Sequence, residues 1–132
     1  MKLLLDTHVW LWALLEPARL RRDVVSLLAS PDHEKWLSSI SIWETLILAE
    51  RGRLALRPDP EAWVRAQLPR APIRQAHVDH EVALVSRRLR TTHQDPADRF
   101  IAATARVHAL TLVTADDRLL KRPDGYAVVR AA

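Results

Sequence analysis

The sequence predicts a three-layer α/β/α sandwich around a largely parallel central sheet, and two patterns carry that prediction. Short apolar stretches recur between longer segments of helical spacing, the alternation that builds sheets covered by helices. The first stretch, Leu3-Leu4-Leu5, is continuously apolar rather than alternating, as expected of a strand buried on both faces. At 132 residues the chain has the size of one domain, and residues 1–132 are expected to form one, with a core that needs no disulfide or structural metal.

Lys2 to Asp6 reads as the first strand. Thr7 is placed to cap the helix that follows, where Val9, Trp10, Trp12, Ala13 and Leu14 keep helical spacing until Pro17. Leu20, Val24, Leu27 and Leu28 line a second helix that exposes Arg19, Arg22 and Asp23 and stops at Ser30-Pro31-Asp32. A strand over Lys35 to Ser38 leads to a helix capped by Ser39 or Ser41, with turns marked by Ile40, Trp43, Leu46, Ile47 and Glu50 and a stop at Gly52. Pro58-Asp59-Pro60 turns into a short helix, Glu61 to Leu68. Ile73 to Val78 reads as a third strand, and Asp79 caps a helix through Val82, Val85 and Leu89 that exposes Arg87, Arg88 and Arg90. Asp95 caps the next helix, with Pro96 in its first turn, where a missing N–H is tolerated. Ala109 to Thr114 forms the clearest later strand, Asp116-Asp117 open a short helix, and Tyr126 to Val129 add a final strand after Asp124-Gly125.

Composition narrows the function. With 0 Cys there is no disulfide scaffold, thiolate zinc site or cysteine nucleophile, which fits a reducing, cytoplasmic setting. Asp6 interrupts the opening apolar run too early for a signal peptide, and no later run is long enough to cross a bilayer. Lys+Arg number 20 against 16 Asp+Glu, a net charge of +4 dominated by Arg, which favours a polyanionic partner.

Four acids stand where the alternation brings chain segments together. Asp6 ends the first strand, Glu44 lies in an amphipathic helix beside Trp43, Leu46 and Ile47, Asp98 opens a helix, and Asp116 follows Leu112-Val113-Thr114. Ligands of parallel sheets bind beyond the carboxyl ends of strands, which is where Asp6 and Asp116 fall. Converging carboxylates suit a hard divalent cation, whereas without one they repel and some take up protons. Each acid also has a purely structural role open to it. Asp6 and Asp116 are placed to cap helices, with Thr7, Thr114 and Asp117 as competing caps, and Asp98 to favour the start of its helix.

Several segments together resemble the PIN-domain ribonucleases, specifically the VapC-type toxins of bacterial and archaeal toxin–antitoxin pairs. They are Leu4-Leu5-Asp6-Thr7-His8, Ser41-Ile42-Trp43-Glu44, His93-Gln94-Asp95-Pro96-Ala97-Asp98-Arg99 with Ile101-Ala102-Ala103, and Leu112-Val113-Thr114-Ala115-Asp116. The resemblance implies a PIN-like fold and a metal-binding, catalytic quartet of Asp6, Glu44, Asp98 and Asp116, with Thr114, Thr7 and Asp95 as accessory residues. Ala97 stands where the Asp-Pro-x-Asp-Arg motif often carries an aromatic, a departure expected to affect packing more than chemistry. It further implies Mg²⁺, with Mn²⁺ as a substitute, hydrolysis of RNA phosphodiester bonds, a cognate antitoxin that obstructs the acidic pocket, and a homodimer to which the Trp residues contribute if they are not in the core.

Other chemistries fare worse. Of the six His, His77 and His80 are three apart but no matching pair completes a zinc motif; His93, preceding the acidic motif, is the one to mutate. Gly52 and Gly125 cannot build a phosphate-binding glycine loop, and Asp6-Thr7-His8 lacks the second acid of an aspartyl phosphatase. The remaining alternative is a non-catalytic RNA- or protein-binding module whose acids only cap helices.

Overall fold

The apolar run that opens the chain forms the central strand of the sheet. The computed structural model describes residues 1–70, 72–90 and 94–132, and five strands are found among them: β1 (Lys2–Leu5), β2 (Glu34–Ser38), β3 (Arg74–Ala76), β4 (Thr111–Thr114) and β5 (Val128–Arg130). They lie in the order β3-β2-β1-β4-β5 and every pair is parallel. From β1 the chain builds outward to β2 and β3, then returns to place β4 on the other side of β1. The strand order therefore reverses between β1 and β4, where a crevice opens beyond the carboxyl ends of the strands.

Helices α1 (Thr7–Leu15), α2 (Arg22–Ala29), α3 (Ser39–Glu50), α4 (Pro60–Gln67), α5 (His80–Arg88), α6 (Pro96–Val107) and α7 (Asp117–Lys121) cover both faces, with a 3₁₀ turn over Pro17–Arg19. The two-residue alternation of a strand sorts β1 between two cores. Leu3 and Leu5 meet Val9, Trp10 and Leu11 of α1, Val24 and Leu28 of α2, and Val64 of α4. Leu4 meets Val82 and Val85 of α5, Ile101 and Ala102 of α6, and Leu119 of α7. This is the three-layer sandwich that the apolar pattern predicts.

The caps differ in detail from expectation. Asp6, not Thr7, caps α1, accepting a hydrogen bond from Thr7 N, because the Thr7 hydroxyl is turned to another partner. Ser38, not Ser39 or Ser41, caps α3 by accepting from Ile40 N. Asp59, Asp79, Asp95 and Asp116 cap α4, α5, α6 and α7. Gly52 closes α3 at a φ of +71°, a left-handed conformation open to it without a Cβ. Trp43, expected on the apolar side of α3, is 55% exposed.

Arg99 supplies a joint between α5 and α6. Its buried side chain donates from Nε to Ser86 O (2.9 Å) and from Nη2 to Leu89 O (3.2 Å), carbonyls left over at the end of α5. No helix among the described residues is long and apolar enough to cross a membrane.

Leu4→Ala should lower unfolding free energy by about 3 kcal/mol, because it opens a cavity in a fully buried strand. Leu84→Ala, at a position 62% exposed, should change it by under about 0.5 kcal/mol. Urea unfolding of both variants against the wild type measures the contrast; equal losses would contradict the placement of β1 at the centre of the core.

Candidate metal centre

The crevice at the strand reversal is lined by carboxylates. Asp6, Thr7, Glu44, Asp95, Asp98 and Asp116 surround a cavity of about 360 Å³, together with His8, Trp12, Ala115 and Arg118. Asp6 reaches it from the end of β1, Glu44 from the second turn of α3, Asp95 and Asp98 from the start of α6, and Asp116 from just beyond β4. The structure thus brings the four acids singled out from sequence to one cavity and adds Asp95 to them. Oxygens of Glu44, Asp95 and Asp98 lie within 4.8 Å of one another.

Hydroxyl groups fix the carboxylates in place. Thr114 donates to Asp6 Oδ2 at 2.7 Å and accepts from Asp116 N at 3.0 Å, tying together the acids at the ends of β1 and β4. The other oxygen of Asp6 accepts from Thr7 N at 2.8 Å, so one buried carboxylate both caps α1 and faces the cavity. Thr7 Oγ1 lies 2.6 Å from Glu44 Oε1 and 2.8 Å from Ser41 Oγ. A hydroxyl has one proton, and the carboxylate is the stronger acceptor, so Thr7 donates to Glu44. Asp95 accepts from Ala97 N and Asp98 N. Arg118 approaches Asp116 at 3.6 Å.

Burial and mutual repulsion make this grouping unfavourable as a set of anions. Desolvation raises the Asp6 and Glu44 carboxyls above their ordinary range, against the lowering effect of their threonine hydrogen bonds. Asp98 is pushed up to about 8, first by desolvation and then by the charges of Asp6, Asp95, Glu44 and Asp116. A crowded, oxygen-only donor set that resists ionisation fits a hard divalent cation, whose charge would offset both penalties. Capping alone would not require it: Glu44 and Asp98 are not N-caps, yet both face the same carboxylates.

Sequence reasoning assigned no site role to four neighbours, Ser41, His8, Trp12 and Arg99. Ser41, three residues before Glu44 on the same face of α3, is fully buried against Thr7, and that spacing was the available signal. His8 and Trp12, four apart on α1, form a wall of the cavity. Arg99, adjacent to Asp98, serves the α5–α6 joint described above. His93 lies outside the described residues.

A model of the PIN domain family matches residues 3–125. Ribonuclease VapC22 of Mycobacterium tuberculosis is 37% identical over 117 residues, 88% of each chain. Among solved structures, the chain is similar to VapBC2 from Rickettsia felis bound to a DNA fragment from their promoter, with a TM-score of 0.74, 16% identity and 100% of both chains covered. It is also similar to FitAcB from Neisseria gonorrhoeae, with a TM-score of 0.65 and 27% identity over 97% of this chain and 96% of that one.

The sign of the Asp98 shift gives a stability profile. Between about pH 4 and about pH 8 the folded, cation-free protein holds a proton that the unfolded chain has released, so stability falls as pH rises through that window. Asp98→Asn removes this titration. In chelator, its melting temperature relative to wild type should rise from pH 5 to about pH 8 and level off above that; a difference independent of pH would show that Asp98 is not crowded by its neighbours.

Proposed function

We propose a function from one premise: the chain belongs to the PIN domain family. In this reading it is a metal-dependent endoribonuclease that hydrolyses RNA phosphodiester bonds and acts as the toxin of a toxin–antitoxin pair. The observation that carries it is the convergence of five carboxylates on one crevice, with Asp98 pushed up to about 8 by its neighbours.

Asp6, Glu44, Asp98 and Asp116 would hold Mg²⁺, or Mn²⁺ in its place, with Asp95 close enough to Glu44 and Asp98 to share in it. When bound, such an ion supplies an acidified water and positive charge against a phosphate in transition. The chain's own contribution is orientation. Thr114 holds Asp6 and the backbone of Asp116, and Thr7 holds Glu44, so the acids point into the crevice without searching rotamers. Among the described residues no Ser, Cys or Lys lines the cavity, which suits attack by water.

A cognate antitoxin is supported by relatives solved as toxin–antitoxin complexes. Pairing of two copies belongs to the same reading, and Trp43 and Leu84 offer exposed apolar surface for it. A cytoplasmic setting suits a chain with 0 Cys and an RNA substrate.

One observation favours the second reading, a binding module without catalysis: Asp6, Asp95 and Asp116 all cap helices. The two readings diverge on metal. If the acids bind a cation, Mn²⁺ should raise the melting temperature of the wild type and restore RNA cleavage lost in chelator. Asp98→Asn should reduce cleavage by more than about 100-fold while remaining folded, and Thr114→Val, which releases Asp6 and the backbone of Asp116 but removes no carboxylate, by about tenfold. Cleavage unchanged by Asp98→Asn and by chelator would remove the nuclease reading.

A further inference from the structure

A second groove adjoins the acidic crevice. It has a volume of about 270 Å³ and shares His8 and Trp12 with the carboxylate cavity, so the α1 wall between them is common to both. Its chemistry is of the opposite kind. The Arg19 guanidinium carbon lies 4.3 Å from the centre of the Trp12 ring, a cation–π contact that favours one place for a flexible cation. The His8 ring packs against Trp12, with ring centres 5.8 Å apart and planes at 41°. Arg53, exposed at the end of α3, lines the same groove.

We propose that this groove binds the nucleotides of single-stranded RNA that flank the phosphate held in the crevice. The inference rests on the nuclease reading for what lies next door, and on the groove itself for the rest. Aromatic and guanidinium planes stack bases of any identity, and arginines beside them take the phosphates; together they make the usual surface for an unpaired strand. A duplex would hide the base faces that His8, Trp12 and Arg19 are placed to meet. Glu16, paired with Arg19 at 3.7 Å, is the one acid among the described residues that line the groove, and it does not reverse the local charge, since two arginines oppose it.

Continuity is the second argument. The acidic crevice repels a phosphodiester backbone unless a cation is present, so affinity for RNA must come from elsewhere on the surface. The groove adjoins the crevice and carries Arg19 and Arg53 at an otherwise apolar floor of Leu11, Leu15, Leu48 and Leu54, and a strand lying there would enter the crevice past His8. Trp12 and Arg19 thereby become positioning residues: they touch the flanking nucleotides and set which phosphate reaches the carboxylates.

Binding of a fluorescently labelled 12-nucleotide single-stranded RNA, measured by anisotropy in chelator so that no cleavage occurs, tests the assignment. Arg19→Glu and Arg53→Glu alter exposed side chains and should fold as the wild type does, checked by melting temperature. Trp12→Leu retains apolar filling while removing the stacking face. Each should weaken binding about tenfold, and each arginine variant should also lower the slope of log affinity against log salt by about 0.7. Affinity and salt slope unchanged in all three variants would overturn the proposal. So would variants that lose an acidic peptide or protein partner while binding RNA as before, which would assign the groove to a protein. RNA bound through these residues by a wild type that does not cut it when Mn²⁺ is added would leave the groove standing and refute the nuclease reading; RNA cut by wild type but bound equally by every variant would do the reverse.

Discussion

The parallel pairing of β1 with β4 is the constraint from which the site follows. Leu3, Leu4 and Leu5 register against Thr111, Leu112 and Val113, and Asp6 N continues the ladder to Val113 O. That register brings the residues after each strand side by side, so Thr114 can bond to Asp6 and to the backbone of Asp116 at once. A slip of one residue would turn Thr114 to the opposite face of the sheet and bury the wrong side chains. Fully buried leucines on both faces of β1 prevent the slip, which is how the core secures the geometry of the crevice.

Holding carboxylates together works against folding, and the structure offsets this locally. Asp6, Asp95 and Asp116 each accept a backbone N–H at the start of a helix, where uncovered donors and the helix dipole favour negative charge. The capping role and the ligand role are therefore compatible rather than competing. A carboxylate has two oxygens, and Asp6 uses one for Thr7 N and the other for Thr114. What capping does not relieve is the charge of Glu44 and Asp98, the two acids inside helices, and there the repulsion remains.

How much was legible in the sequence divides along local and non-local lines. Strands and helices were readable because apolar spacing and cap residues act over a few positions; Asp79 and Asp95 cap as expected. The convergence of the acids was readable only because strand ends and helix starts share one edge of a parallel sheet. The competition between Thr7 and Asp6 for the α1 cap was not, since it is decided by Glu44, 37 positions away, which engages the threonine hydroxyl. Trp43 was misplaced for a similar reason: the period of α3 gives an apolar stripe, and packing decides which of its edges meets the core. From local pattern Asp95 read as a cap, and only the family resemblance suggested an accessory part in the site, because its nearness to Glu44 depends on how α3 meets α6.

The charge distribution also joins two features that look opposed, a net charge of +4 and a crevice lined with acids. A polyanion approaching this surface is drawn by exposed arginines such as Arg19 and Arg53 and repelled by the carboxylates beside them. Bringing phosphate to the crevice thus requires cation charge there, while the arginines work without it. On the nuclease reading, binding and cutting are separable by design of the surface: the basic groove holds the strand, and the acidic crevice acts only when its own charge has been balanced. This separation follows from the placement of α1, whose His8 and Trp12 stand between a cluster of oxygens that repels a polyanion and a guanidinium, held against Trp12, that attracts one.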